Sequence, residues 1–176
     1  MLTREILKNM KEDELRENVL KPLFITMGFK GVSEYHGTQE LGKDIVMWKE
    51  DETGSRENYA IVAKASRITG DAKKSISEIR TQIEQCFGSS YNDPVNSSEQ
   101  VINKCWIVSS KEITMSARKA LTDSLKPQNL DRLIRFIDGD EIWQLIERYL
   151  IQETYQESVK KIQQISDSIS PYYIRS

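Results

Sequence analysis

The chain has 176 residues, a formal net charge of −2, and a composition that is 38% hydrophobic and 30% charged. That suffices for one domain with its own core, and the near-neutral balance does not mark the whole surface as one for nucleic acid. No apolar run is long enough to span a membrane, and the N-terminus, MLTREILKNMKEDEL, lacks the apolar centre of a signal peptide.

Two cysteines, Cys86 and Cys105, are too few for a disulfide framework and read as buried thiols of a cytoplasmic protein. With His36 the sole histidine, no Cys/His cluster suggests zinc.

The spacing predicts a first helix over residues 12–27. Leu15, Val19, Leu23 and Met27 recur every fourth residue with Leu20 and Phe24 beside them, and Pro22 kinks or restarts the helix. Gly28 is placed to end it. A short strand follows from Phe29 to about Tyr35, then a glycine-bracketed turn, Gly37 to Gly42, then a strand at Ile45-Val-Met-Trp48. Residues 49–58, KEDETGSREN, contain no apolar residue and read as a hairpin loop before a strand from Tyr59 to Ala65.

A helix over about 71–87 presents Ile76, Ile79, Ile83 and Phe87. Residues 88–100 are rich in turn formers and read as a loop. The run Cys105-Trp-Ile-Val108 is expected in a strand buried on both faces. Thr114 caps a helix that reaches about Leu125 and stops at Pro127. Leu133 to Ile137 is the last strand. Asp138, with Glu141 three residues on, forms a capping box for a helix burying Ile142, Leu145, Ile146 and Tyr149.

The order is α-β-β-β-α-β-α-β-α, which implies an α/β domain with a mixed sheet between helices, over residues 1–150. Residues 151–176 form a thin amphipathic tail (Tyr155, Val159, Ile162, Ile165, Ile169). Its apolar stripe calls for a packed neighbour, a second copy of the chain or a downstream domain.

Chemistry concentrates between His36 and Lys64. Glu40 and Asp44 precede one strand and Lys64 lies in the next, amid Ile61, Val62, Ala63 and Ala65. A lysine in an apolar strand is costly unless it has a partner or a task. Two carboxylates and a lysine on paired strands suit metal-assisted phosphodiester cleavage. The carboxylates hold a hard cation, the cation polarises phosphate and acidifies water, and the lysine orients that water or offsets developing charge.

The bland alternatives are a solvated turn for Asp44 and a rim position for Glu40. For Lys64 the alternative is a structural ion pair with Asp44. His36 reads as a turn residue or as a contact to phosphate or metal. Lys73 and Lys74 read as a solvated helix face or as phosphate contacts, in a stretch that also holds Arg67 and Arg80. Trp48, Trp106 and Trp143 read as core.

Five segments together resemble the PD-(D/E)XK nuclease superfamily, and within it the Mrr-like restriction endonucleases. They are Gly28-Phe29 closing the first helix, Glu40-Leu-Gly-Lys-Asp44 in the place of a DGGID-like motif, and Val62-Ala-Lys64 in the place of QxK or ExK. The last two are Val108 to Ala117, similar to a strand-to-helix segment of that family, and Ile134 to Ile146, similar to its IxLIDG ending.

The resemblance covers roughly residues 12–150 and implies a metal-dependent endonuclease acting on DNA with Mg²⁺, or Mn²⁺ in its place, in prokaryotic restriction or anti-phage defence. It implies Asp44, Glu40 and Glu17 as metal carboxylates and Lys64 as the catalytic lysine. Gln82 falls at a family glutamine position suited to contacting substrate or orienting a ligand. One position departs: Val62 stands where the family carries a polar ligand. In one reading Glu40 and a backbone carbonyl near Ala63 complete the metal shell. In the other, the domain is an inactive nuclease fold that binds nucleic acid or a protein partner.

Overall fold

A computed structural model of the chain describes residues 2–35, 41–93, 95, 97–152 and 159–164. The N-terminal helical region has two parts, a short helix and, after extended backbone at Met10 and Lys11, an unbroken helical run over 12–26 that meets the expected first helix. Thr3 caps α1 (Arg4–Asn9), its hydroxyl accepting from the Ile6 amide at 3.2 Å. The helix is too short to show periodicity, but it buries Leu7. Then come α2 (Glu12–Leu15), a π-helical turn over Arg16–Leu20, and α3 (Lys21–Thr26), which follow one another without a break, and Pro22, with no amide proton to give, comes directly after the π-helical turn. Leu15, Val19, Leu20, Leu23 and Phe24 are buried, as their spacing predicts.

Strands β1 (Lys30–Glu34), β2 (Ile45–Glu50) and β3 (Arg56–Lys64) form an antiparallel meander. β3 starts earlier than its apolar run suggests. The polar stretch still pairs, Lys49 opposite Glu57 and Glu50 opposite Arg56, because opposite charges across an exposed hairpin are favourable. α4 (Lys73–Gly88) follows. The expected loop over 88–100 contains a small hairpin of β4 (Tyr91–Asn92) and β5 (Glu99–Gln100). Arg56 pins this hairpin to β3 through Asp93, 2.6 Å away.

β6 (Lys104–Ser109) pairs parallel with β3, and after α5 (Met115–Leu125) the last strand, β7 (Ile134–Ile137), pairs parallel with β6. The five-stranded sheet has the order β1-β2-β3-β6-β7. Asp138 and Glu141 form the expected capping box at α6 (Gly139–Leu145), which runs on through a π-helical turn over Ile146–Ile151.

Alternation along β3 divides the core. Ile61 and Ala63 face one layer with Leu15, Leu23, Phe24, Trp106, Ile142 and Ile146, under the N-terminal helices and α6. Ala60 and Val62 face the other layer with Ile79, Ile83, Leu121 and Leu125 of α4 and α5. β6 is buried on both sides, which is why Cys105 to Val108 reads as an unbroken apolar run.

Trp106 is in the core, and Trp143 packs against it half-buried. Trp48 is half-buried with Lys30 and Arg56 over its ring at 4.9 and 4.5 Å. Among the described residues no helix is long and apolar enough to cross a membrane. Backbone at 159–164 is helical with Val159 and Ile162 exposed, whereas Tyr155, Ile165 and Ile169 of the tail lie outside the described residues.

Candidate active site

Asp44 sits one residue before β2, where the chain leaves a tight turn. Leu41 and Gly42 both have positive φ, 41° and 80°. A side chain at position 42 would place its Cβ 2.2 Å from the Gln82 carbonyl oxygen, so only glycine lets this turn rest on α4. Emerging from it, Asp44 docks against the end of β3. Its amide donates to the Ile61 carbonyl at 2.9 Å, and its Oδ2 accepts from the Ala63 amide at 2.6 Å. Asp44 thus grips β3 on either side of Val62, by its backbone amide at Ile61 and by its carboxylate at Ala63.

Asp44 is 8% exposed, and its pKa is raised from 3.8 to about 6. Burial is the main cause. The Ala63 hydrogen bond, then Lys64, pull the other way, Glu12 adds to the rise, and Arg16 opposes it. The field around Asp44 therefore comes from the end of β3 and from the first helices. The helix carboxylate acting on it is Glu12, half-buried and held by Arg16 at 3.2 Å, while Arg16 also reaches Glu34 at 3.6 Å. Glu17 is exposed on the π-helical turn. Glu12 and Arg16 were not singled out from the sequence. The signal in the sequence is a charged cluster at the start of a helix whose apolar spacing begins at Leu15.

Lys64 ends β3, half-buried, on the α4 side of the sheet like Val62. Among the described residues no carboxylate lies within ion-pair distance of it, so it is not a structural salt bridge of Asp44, although its charge is felt there. It opens onto a groove of about 480 Å³ lined also by Lys74, Ser77, Glu78, Thr81 and Gln82. These four α4 residues other than Lys74 come from successive turns, so the groove follows one helix face.

The Gln82 side-chain oxygen is buried and finds no hydrogen-bond partner among the described residues. Lys74 is exposed and 3.8 Å from Glu78, and Lys73 is exposed at the start of α4. Arg67 and Arg80 are paired with Glu112 and Glu84 at 2.6 and 2.8 Å, so the basic stretch is largely neutralised by its own acids.

The structure thus brings Asp44, Lys64 and Gln82 to one corner of the sheet. Glu40 and His36 lie outside the described residues. Among the described residues no three His, Cys, Asp or Glu side chains form a group able to hold a metal ion. Val62, fully buried in the α4-side core, offers no oxygen. Asp44 still has the chemistry of a cation ligand: it is a buried carboxylate with one oxygen committed to Ala63. A second carboxylate sits nearby, and an elevated pKa is what an added positive charge would relieve.

Three further buried side chains lie at the turn, those of Lys43, Cys86 and Cys105. Lys43 is 1% exposed, and burial lowers its pKa. Cys86 and Cys105 are free buried thiols. The Cys105 thiol donates a hydrogen bond to Cys86, and that bond and then burial push Cys105 well above the ordinary thiol range, away from the thiolate a metal would need.

Compared with families of known proteins, residues 7–146 match a model described as restriction endonuclease, of the Mrr catalytic type. Neither the curated proteins nor the solved structures give a match.

Proposed function

The chain belongs to the restriction endonuclease family, and on that footing we propose that it hydrolyses DNA phosphodiester bonds at the corner occupied by Asp44 and Lys64. The observation that carries this reading is the buried Asp44 carboxylate, clamped on the end of β3 with its pKa raised to about 6, beside a lysine that opens onto a groove.

In this reading Asp44 and Glu12 hold Mg²⁺ or Mn²⁺, with Glu40 of the preceding segment as a third carboxylate. Glu12 takes the role that the sequence pattern offered to Glu17. An ion held there would supply Lewis-acid polarisation of the phosphate and would lower the pKa of a water. Lys64 orients the attacking water and offsets charge as it grows on the phosphate oxygens. Gln82, Lys73, Lys74 and His36 contact the nucleic acid. Val62 keeps the α4 side of the strand end apolar, so the missing ligand is made up from the first helix and the turn rather than from β3. The organisation into a nuclease domain over 1–150 and a partner-binding or oligomerising segment over 151–176 belongs to the same reading, as does a role in prokaryotic defence.

Val62 also supports a competing reading, an inactive domain that binds without cutting. Incubating supercoiled and linear DNA with Mg²⁺ or Mn²⁺ separates the two. Wild type cuts, and Asp44→Ala and Lys64→Ala do not. DNA bound but never cut by wild type favours the binding module.

A further inference from the structure

We propose that Lys43 is a positioning residue of this site, its buried ammonium tying the turn that delivers Asp44 to the carboxyl end of α4; the proposal rests on the reading of Asp44 as the central site residue. Lys43 Nζ donates to Ser89 Oγ at 2.5 Å and to the Leu41 carbonyl at 3.4 Å. The Ser89 hydroxyl in turn donates to the Gln85 carbonyl at 2.6 Å.

Gln85 lies in the last turn of α4, where carbonyls lack helical partners and the helix dipole is negative. That last turn has no basic residue of its own, and Lys43 supplies one from outside the helix. A buried ammonium is ordinarily costly. Here the helix end and the hydroxyl relay offset that cost.

The same turn makes two more attachments to α4. Cys86 Sγ donates to the Gly42 carbonyl at 3.1 Å, and Gly42 packs on the Gln82 carbonyl. Leu41, Gly42 and Lys43 are thus each fastened to α4 or to one another immediately before Asp44. Asp44 meets Ala63 at 2.6 Å only if the turn stays where α4 puts it. Since α4 also carries the groove residues Ser77, Thr81 and Gln82, one helix sets the carboxylate and the groove in register.

The test compares wild type, Lys43→Met and Ser89→Ala as full chains, by residue-resolved hydrogen exchange and by Mn²⁺ titration calorimetry. Methionine keeps the length and removes the charge. In Lys43→Met the Ala63 amide, which donates to Asp44, exchanges about tenfold faster, the equivalent of one lost hydrogen bond, while Ile107 in β6 is unchanged. Ser89→Ala gives the same pattern at about threefold, and Mn²⁺ affinity falls by matching factors.

Wild-type exchange at Ala63 in both variants overturns the proposal. So does an equal acceleration at Ile107, which would make Lys43 a general packing residue. If Lys43→Met fails to fold, Ser89→Ala decides by the same criteria. Wild type that takes up no Mn²⁺ refutes the metal-site reading instead and leaves the exchange data to judge Lys43.

Discussion

Replacing Asp44 with asparagine is expected to stabilise the metal-free protein at neutral pH while removing its activity. The carboxyl has a folded pKa of about 6 against an ordinary 3.8 in the unfolded chain. The folded state therefore holds the proton more tightly. The stability this contributes is complete below about pH 4 and is lost as pH rises through 6. The two values lie about two pH units apart, and each unit is worth about 1.4 kcal/mol, so ionised Asp44 costs the fold about 3 kcal/mol at pH 7.5.

Asparagine keeps an oxygen to accept from the Ala63 amide and carries no charge to desolvate. Asp44→Asn should gain about 2–3 kcal/mol, or roughly 5–10 °C in melting temperature for a chain of this size. Scanning calorimetry in a chelator at pH 7.5 and pH 4 tests this. The gap is wide at pH 7.5, closes at pH 4, and narrows at pH 7.5 when Mg²⁺ is added to wild type. Asp44→Asn melting at or below wild type at pH 7.5, or a gap that ignores pH, would show that Asp44 is not the strained carboxylate described.

Three other perturbations follow from the same geometry. Gly42→Ala forces a positive φ on alanine and drives its Cβ into the Gln82 carbonyl 2.2 Å away, so stability falls by about 2 kcal/mol or more, read by chemical denaturation. Glu12→Gln weakens Mn²⁺ binding about tenfold in titration calorimetry while Glu17→Gln leaves it unchanged; the reverse ranking returns the helix ligand to Glu17. Val62→Glu places a carboxylate in a fully buried position, lowering stability by about 3–5 kcal/mol in chelator, with Mg²⁺ recovering much of the loss. Thermal melts with and without the ion check this.

Much of the sheet was legible in the sequence because its signals are local. The continuous apolar run at Cys105 to Val108 requires burial on both faces. The order of strands and helices requires a mixed sheet, and Asp138 with Glu141 marks a helix start that the structure reproduces. What was not legible depends on departures from a single period. The helix from Glu12 to Thr26 was legible in its four-residue spacing, but the π-helical turn inside it was not, because one wide turn leaves that spacing intact. β3 begins at Arg56 because charge pairing, not burial, extends the hairpin.

At the site, Asp44 and Lys64 stood out by type and place. Glu12 and Lys43 act across elements. Lys43 precedes the strand, where side-chain alternation does not apply, so no periodicity could reveal that it reaches the end of a helix 46 residues on in sequence.

In the function proposed, one buried carboxylate both burdens the fold and enables the cut. The most direct measurement follows DNA cleavage and melting temperature side by side, for wild type and Asp44→Asn, in Mg²⁺ and in chelator at pH 7.5. The account predicts that wild type cuts only with the ion and melts lower without it, and that Asp44→Asn never cuts and melts highest in chelator. An Asp44→Asn protein that still cuts DNA, or a wild type whose stability and cleavage both ignore the ion, would contradict it.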